Sequence, residues 1–308
     1  MKPSKKLVFF GNERLSSGYD AANAPILTSL IEAGYPVVAV VANYEPGRSR
    51  KHRELEVAIV AKKYNIPLFL PHHPREITAD LRDLQAEAGV LAAYGKIVPQ
   101  ETIDVFPCGI INIHPSLLPK YRGPIPIEQA ILDGAAQTGV SIMRLVKQMD
   151  AGPVYVQASL SLAGNESKEQ LTRSLAALGQ KLLLQHLPNI LSGEIRPQPQ
   201  DETEATYCGL IKKDDGIINW QKPAVQLQRE IRAYLGWPGS RTSLFGQDIL
   251  LLEAHIRPLE LPLGKAQKSS EGILVGCSEQ SLLITKLRPN GRSSMSASDF
   301  LRGLRTSA

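Results

Sequence analysis

The chain has 308 residues, 43% of them hydrophobic and 21% charged, with a formal net charge of +5. That length holds two domains and a substantial core, and that balance excludes a disordered chain. No apolar run reaches the roughly 18 residues of a membrane span, and residues 7–10, after three lysines, are too few for a signal peptide, so a cytoplasmic protein with no membrane partner is expected.

Cys108, Cys208 and Cys277 are far apart and odd in number, which argues against a disulfide framework and a cysteine zinc site. His72 and His73 are adjacent between prolines and lack the spacing of metal ligands, so no metal is expected. The charge is uneven: residues 1–204 hold 21 Lys and Arg against 21 Asp and Glu, whereas residues 205–308 hold 14 against 9. The whole positive excess therefore falls in the last third, where it points to an anionic partner.

In chain order, 5–10 reads as a strand ending at Gly11, 20–33 as a helix closed by Gly34, and 36–42 as a second, apolar strand. Residues 48–53, RSRKHR, form a basic cluster in the loop that follows. A helix over 54–64, a strand over 66–70, a helix over 75–88 and strands over 89–94 and 110–114 continue the alternation. Strands that are apolar throughout and alternate with helices predict an α/β, Rossmann-like, mostly parallel sheet with helices on both faces. Gly11-Asn12-Glu13 lacks the Gly-x-x-Gly continuation of a dinucleotide fingerprint and no Walker loop is present, which disfavours hydride and phosphoryl chemistry.

Residues 109–157 carry the chemistry. Ile111 and Ile113 alternate with Asn112 and His114, so a strand here turns its amide and imidazole to one face. Pro115 and Pro119 bracket Ser-Leu-Leu and end the strand at His114, where an open parallel sheet presents its ligands. Pro126 starts a helix through Leu132, closed by Gly134. A strand over 138–146 continues over 154–160 after a turn at 147–153 that offers Asp150 before Ala-Gly-Pro. Amide, imidazole and carboxylate without an evident nucleophile suit acyl transfer between nitrogens: one group polarises a carbonyl, one moves a proton, one orients or relays.

Leu171, Leu175, Leu178, Leu182 and Leu187 mark a helix over 170–191 that packs on the sheet. Residues 195–206 are polar and contain prolines, which reads as a linker. Beyond it, 224–235 precedes a Gly-Trp-Pro-Gly turn, and short strands over 242–245, 248–254, 272–276 and 281–287 predict a small, OB-like β-barrel. Ser296 with Asp299 caps a terminal helix.

Asn-x-His-Pro-Ser-Leu-Leu-Pro at 112–119, Arg122-Gly123 and Asp150-x-Gly152 together resemble the formyltransferase family that uses 10-formyltetrahydrofolate. The resemblance implies that Asn112, His114 and Asp150 are catalytic and that Ser116, Leu117, Leu118 and Pro119 border the folate. It also places Tyr94 and Gly95, in Ala-Tyr-Gly, beside the folate pocket. The core alone names the donor, 10-formyltetrahydrofolate, but not the acceptor. Asp214–Trp220 in DDGIINW, Ile231-Arg232-Ala233 and Trp237-Pro238-Gly239 resemble the carboxy-terminal domain of the methionyl-tRNA branch of that family. Purine-precursor enzymes of the family normally stop after the catalytic domain, so the extra third counts against them and the resemblance implies initiator methionyl-tRNA as the acceptor; a monomer is expected.

In that branch the loop at 48–53 also meets the acceptor arm, whereas Gly11-Asn12-Glu13 departs from the family's usual Gly-Thr-Pro and aromatic residue. The expected organisation is a catalytic domain over 1–194, a linker over 195–206 and a tRNA-binding β-barrel over 207–308. The same chemistry on a nucleotide-sugar amine or purine precursor, and an inactive RNA-binding scaffold, are the two rival readings.

Overall fold

The structure is a computed structural model that describes residues 4–12, 24–43 and 54–304. Residues 48–53, Glu13 and the first part of the helix expected over 20–33 lie outside the described residues. The described chain divides into two compact units, the first built from described residues up to 127 with 137–162 and 171–209, the second from 128–136, 163–170 and 210–304.

The first unit begins with β1 (Leu7–Phe10), α1 (Pro25–Glu32), β2 (Val37–Val41), α2 (Glu56–Lys63), β3 (Leu68–Phe69), α3 (Thr78–Asp83) and β4 (Ala88–Leu91). It continues with a short α4 (Gln100–Ile103), β5 (Ile110–His114), β6 (Gln137–Arg144), β7 (Val154–Ser161) and nearly all of the long α6 (Lys168–Ser192), whereas α5 (Pro126–Asp133), between β5 and β6 in the chain, belongs mostly to the second unit. The seven strands form one sheet in the order β3-β2-β1-β4-β5-β6-β7. β1 to β5 pair in parallel, and β6 and β7 are added antiparallel. Helices cover both faces, as the apolar strands require, since strands buried on both sides leave no polar face for water. β1 reads LVFF with every residue buried, and Phe10 sits edge-on to Tyr94 and Phe106 at centroid distances of 5.8 and 5.9 Å.

Two expectations are corrected here. The helix expected over 75–88 is a 3₁₀ turn, Pro74–Ile77, followed by α3, which stops early because Gln85 adopts a left-handed φ of 52°. The stretch 154–160 does not continue the strand before it: the turn at 147–153 reverses the chain, and β7 pairs antiparallel with β6. α6 approaches β5 closely, since a Cβ on Gly179 would lie 3.0 Å from the Ile113 side chain.

The second unit contains α7 (Ala224–Ala233), β8 (Ser240–Leu244), β9 (Gln247–Arg257), β10 (Ala266–Lys268), β11 (Ile273–Gly276), β12 (Ser281–Pro289), β13 (Met295–Ser296) and α8 (Ala297–Gly303). Its strands form an antiparallel half-barrel sheet in the order β10-β11-β12-β9-β8, with β13 on β12. Leu227 and Ile231 of α7 pack with Leu251, Ile273, Leu282 and Leu287 in its core. Ser296 accepts from the Asp299 N–H at 3.0 Å and caps α8. Among the described residues no helix is long and apolar enough to cross a membrane.

The stretch 195–206, expected as a linker, lies along the first unit. Thr206 N–H donates to the Pro119 carbonyl at 3.2 Å, and Arg122 N–H donates to the Thr206 carbonyl at 2.9 Å. Cys208 N–H then donates to the Arg122 carbonyl at 2.8 Å, so the first unit extends to Gly209. Polar composition is common to linkers and to straps that satisfy a buried loop's backbone, and here the loop after β5 needs those partners.

Candidate active site

β5 is flanked by β4 and β6, with Leu91 opposite Asn112 on one side and Ser141 opposite His114 on the other. Alternation along the strand turns Asn112 and His114 to the same face, where they are 6% and 5% exposed. Both line a cavity of about 460 Å³ that also takes Asp150, Tyr94, Gly95, Gly123 and Pro124. Its remaining wall is largely apolar, with Leu91, Val98, Leu145 and Val146 inside and the exposed Ile97 and Met149 at the rim. A cavity of this size, apolar with a few convergent polar groups, suits a small molecule rather than a macromolecule.

The imidazole is held in one orientation. Its Nε2 lies 3.0 Å from the Tyr121 carbonyl oxygen, which accepts only, so Nε2 carries the proton of that bond. Nδ1 is left facing Asp150 Oδ2 at 3.7 Å and is the nitrogen free to gain or give a proton. Asp150 Oδ2 accepts the Gly123 N–H at 2.8 Å, which fixes the carboxylate against the imidazole. Gly123 has φ 117°, and a Cβ there would lie 2.3 Å from the Cys208 carbonyl oxygen, so no other residue keeps that N–H in place. Asp150 itself adopts a left-handed φ of 50°, tolerated by Asp at a cost of about 1 kcal/mol.

The Asn112 amide makes no hydrogen bond among the described residues and lines the cavity, so its N–H₂ is available to an oxygen arriving there. Tyr94 is buried, its hydroxyl has no partner among the described residues, and burial pushes its pKa up to about 12.

Ser116, Leu117, Leu118 and Pro119 do not line the cavity. Their polar atoms are satisfied inside the fold: Ser116 Oγ donates to the Lys120 carbonyl at 2.6 Å, and Ser141 Oγ donates to the Ser116 carbonyl at 2.6 Å. The Leu118 N–H donates to Ser141 Oγ at 3.0 Å, and Gln157 donates to the Leu118 carbonyl at 2.8 Å. The loop thus frames the backbone behind His114.

Arg122 and two residues not singled out by their sequence, Glu202 and Tyr207, complete the support. Arg122, fully buried, donates to both Glu202 oxygens at 2.7 and 2.8 Å and to the Tyr207 hydroxyl at 2.9 Å. The Arg122 guanidinium holds the Glu202 carboxyl below the usual carboxylate range, and the hydrogen bond to Glu202 raises the pKa of Arg122 in turn. The Arg-Gly pair at 122–123 was visible as a motif, but Glu202 and Tyr207 carry no local signal.

A Rossmann-like sheet that brings an amide, an imidazole and a carboxylate together at a cavity sized for a small molecule is the arrangement of a group-transfer enzyme. The chain belongs to the formyl transferase family: the model of the formyl transferase domain matches residues 6–187 and that of its carboxy-terminal domain matches 210–305. It is 36% identical to the methionyl-tRNA formyltransferase of Roseiflexus castenholzii, covering 98% of this chain and 97% of that one. It is 39% identical to the methionyl-tRNA formyltransferase of Chloroflexus aurantiacus over 90% of this chain and 92% of the relative. Among solved structures, an N-formyltransferase from Helicobacter canadensis in complex with folinic acid and dTDP-3-aminofucose superposes with a TM-score of 0.70. That match covers 91% of this chain and 98% of the other at 16% identity, a likeness of fold.

Proposed function

We propose that this chain is a methionyl-tRNA formyltransferase, which moves the formyl group of 10-formyltetrahydrofolate to the free amine of initiator methionyl-tRNA. The observation that carries this reading is the convergence of Asn112, His114 and Asp150 at one end of a cavity sized for a folate, in a chain alike over its whole length to enzymes of that name. The residues fit the donor: the apolar wall from Leu91 to Met149 suits a flat ring system, and the polar end suits the formyl group.

In the reaction the neutral amine forms a bond to the formyl carbon, the bond from that carbon to N10 breaks, and the proton shed by the amine ends on N10. Asn112 donates its amide N–H to the formyl oxygen as negative charge develops there. His114, anchored through Nε2, carries the moving proton at Nδ1, and Asp150 stabilises the imidazolium that results. Tyr94 and Gly95 border the donor, and the 116–119 loop holds the backbone behind His114.

The second unit is assigned to docking the tRNA. A cleft of about 740 Å³ there is lined by Arg241, Arg288 and Arg292 with Asp248, and the last third of the chain holds the positive excess. Phosphate contacts supply most of the affinity for a polyanion, and guanidinium groups suit them. The test is formylation of charged initiator tRNA with 10-formyltetrahydrofolate, read on acid gels beside arms that offer a nucleotide-sugar amine and a purine precursor. Transfer to tRNA is expected; transfer only to a small amine would refute the acceptor.

A further inference from the structure

The turn that presents Asp150 is held from a distance. Gln200, half-buried in the strap after α6, donates through Nε2 to the carbonyls of Asp150 and Gly152, both at 2.7 Å. Its Oε1 accepts from Arg122 Nε at 3.1 Å and Nη2 at 2.8 Å. Arg122 only donates and the two carbonyls only accept, so one orientation of the amide satisfies all four bonds and the flipped one satisfies none. Arg122 is fixed by Glu202 and Tyr207, and its neighbour Gly123 donates to the Asp150 carboxylate. The same two residues thus grip Asp150 twice: the side chain directly, the main chain through Gln200.

We propose that Gln200 is a positioning residue for formyl transfer, acting through Asp150: it holds the left-handed turn so that the carboxylate stays opposite His114 Nδ1. The proposal rests on the reading that Asp150 serves the reaction. It explains why an amide stands here rather than a carboxylate. Glutamate at this position would pair more strongly with Arg122 but has no hydrogen to give the two carbonyls, and would repel them.

Gln200→Glu and Gln200→Ala are compared in the natural chain and in Asp150→Asn, with kcat, both KM values and melting measured. Reactivity depends steeply on placement, so kcat is expected to fall about 10- to 100-fold while both KM values stay within about 2-fold. In the Asp150→Asn background the same changes are expected to cost less than about 2-fold, because the group they position is already lost. Gln200→Glu keeps the size and the Arg122 bonds, so a loss of turnover without a loss of melting temperature separates positioning from folding. Equal losses in both backgrounds, or a loss that follows melting and KM together, would overturn the proposal. If Asp150→Asn is impaired and the Gln200 variants turn over normally, only the positioning role is wrong. If Asp150→Asn itself keeps full turnover, both this proposal and the assignment of Asp150 fall.

Discussion

Replacing Asp150 by Asn removes one charge and little else. Asn tolerates the left-handed φ of 50° as Asp does, and its side-chain oxygen still accepts the Gly123 N–H now held at 2.8 Å. What is lost is the interaction of a carboxylate with the imidazolium that the proposed mechanism forms at His114, 3.7 Å away. At an effective dielectric constant of about 20 that interaction amounts to roughly 4 kcal/mol, an upper bound because the carboxylate retains some contact with water. Since about 1.4 kcal/mol is tenfold in rate, kcat is expected to fall by about 10²- to 10³-fold. Asp150→Ala loses the same charge together with the hydrogen bond and the tolerance of positive φ, about 1–2 kcal/mol of stability. Single-turnover formylation of charged tRNA, with thermal melting alongside, separates the two effects. Asn should melt within about 2 °C of the natural protein, and Ala lower by about 2–4 °C for each kcal/mol lost. An Asn variant within about 3-fold of the natural kcat would refute the argument, because the negative charge would then do nothing in the transition state.

Asn112→Ala, which removes a donor with no other partner among the described residues, is expected to lower kcat about 10²-fold and leave donor affinity within about 3-fold; binding titration with tetrahydrofolate and single-turnover rates check it. Tyr94→Phe removes a buried hydroxyl without a partner among the described residues, so chemical denaturation should show stability unchanged or raised by up to about 1 kcal/mol. The pair Arg288→Glu and Arg292→Glu should raise the KM for tRNA and flatten its salt dependence by about two phosphate contacts, with donor binding kept. The Glu202 carboxyl is depressed by its hydrogen bond to Arg122, so its contribution to folding is complete above the ordinary value of 4.5 and is lost as pH falls through the lower folded value. The melting advantage of the natural chain over Glu202→Gln should accordingly vanish on acidification below that value.

The parallel sheet was legible because its strands are buried on both faces and read as unbroken apolar runs, as LVFF and VVAVV do. The convergence of Asn112, His114 and Asp150 was legible for a related reason: period-two alternation fixes the face of the first two, and proline and glycine fix where the strand and the later turn end. The reversal at 147–153 was not, because strand periodicity carries no sign of direction, and the antiparallel pairing of β6 with β7 depends on a turn whose geometry is non-local. The turn closes only because Gly152 lets the chain pass under the Arg144 carbonyl, where a Cβ would lie 1.9 Å away.

Ser116 to Pro119 show what a sequence leaves open. Their place after the strand was right, yet how a loop residue braces the backbone is decided by its hydrogen-bond partners, and these sit 23 to 39 residues away in the Ser141 and Gln157 contacts. The strap at 195–208 carries the same lesson furthest. Its polar, proline-containing composition has two physical solutions, solvation as a linker or service as the missing partners of a buried arginine, and only the second satisfies Arg122. A fully buried guanidinium left without Gln200 and Glu202 would cost several kcal/mol, so the position of Arg122 in the fold dictates the strap's course. That dependence runs over 78 residues, beyond the reach of any local pattern, and it ends at the carbonyl of Asp150.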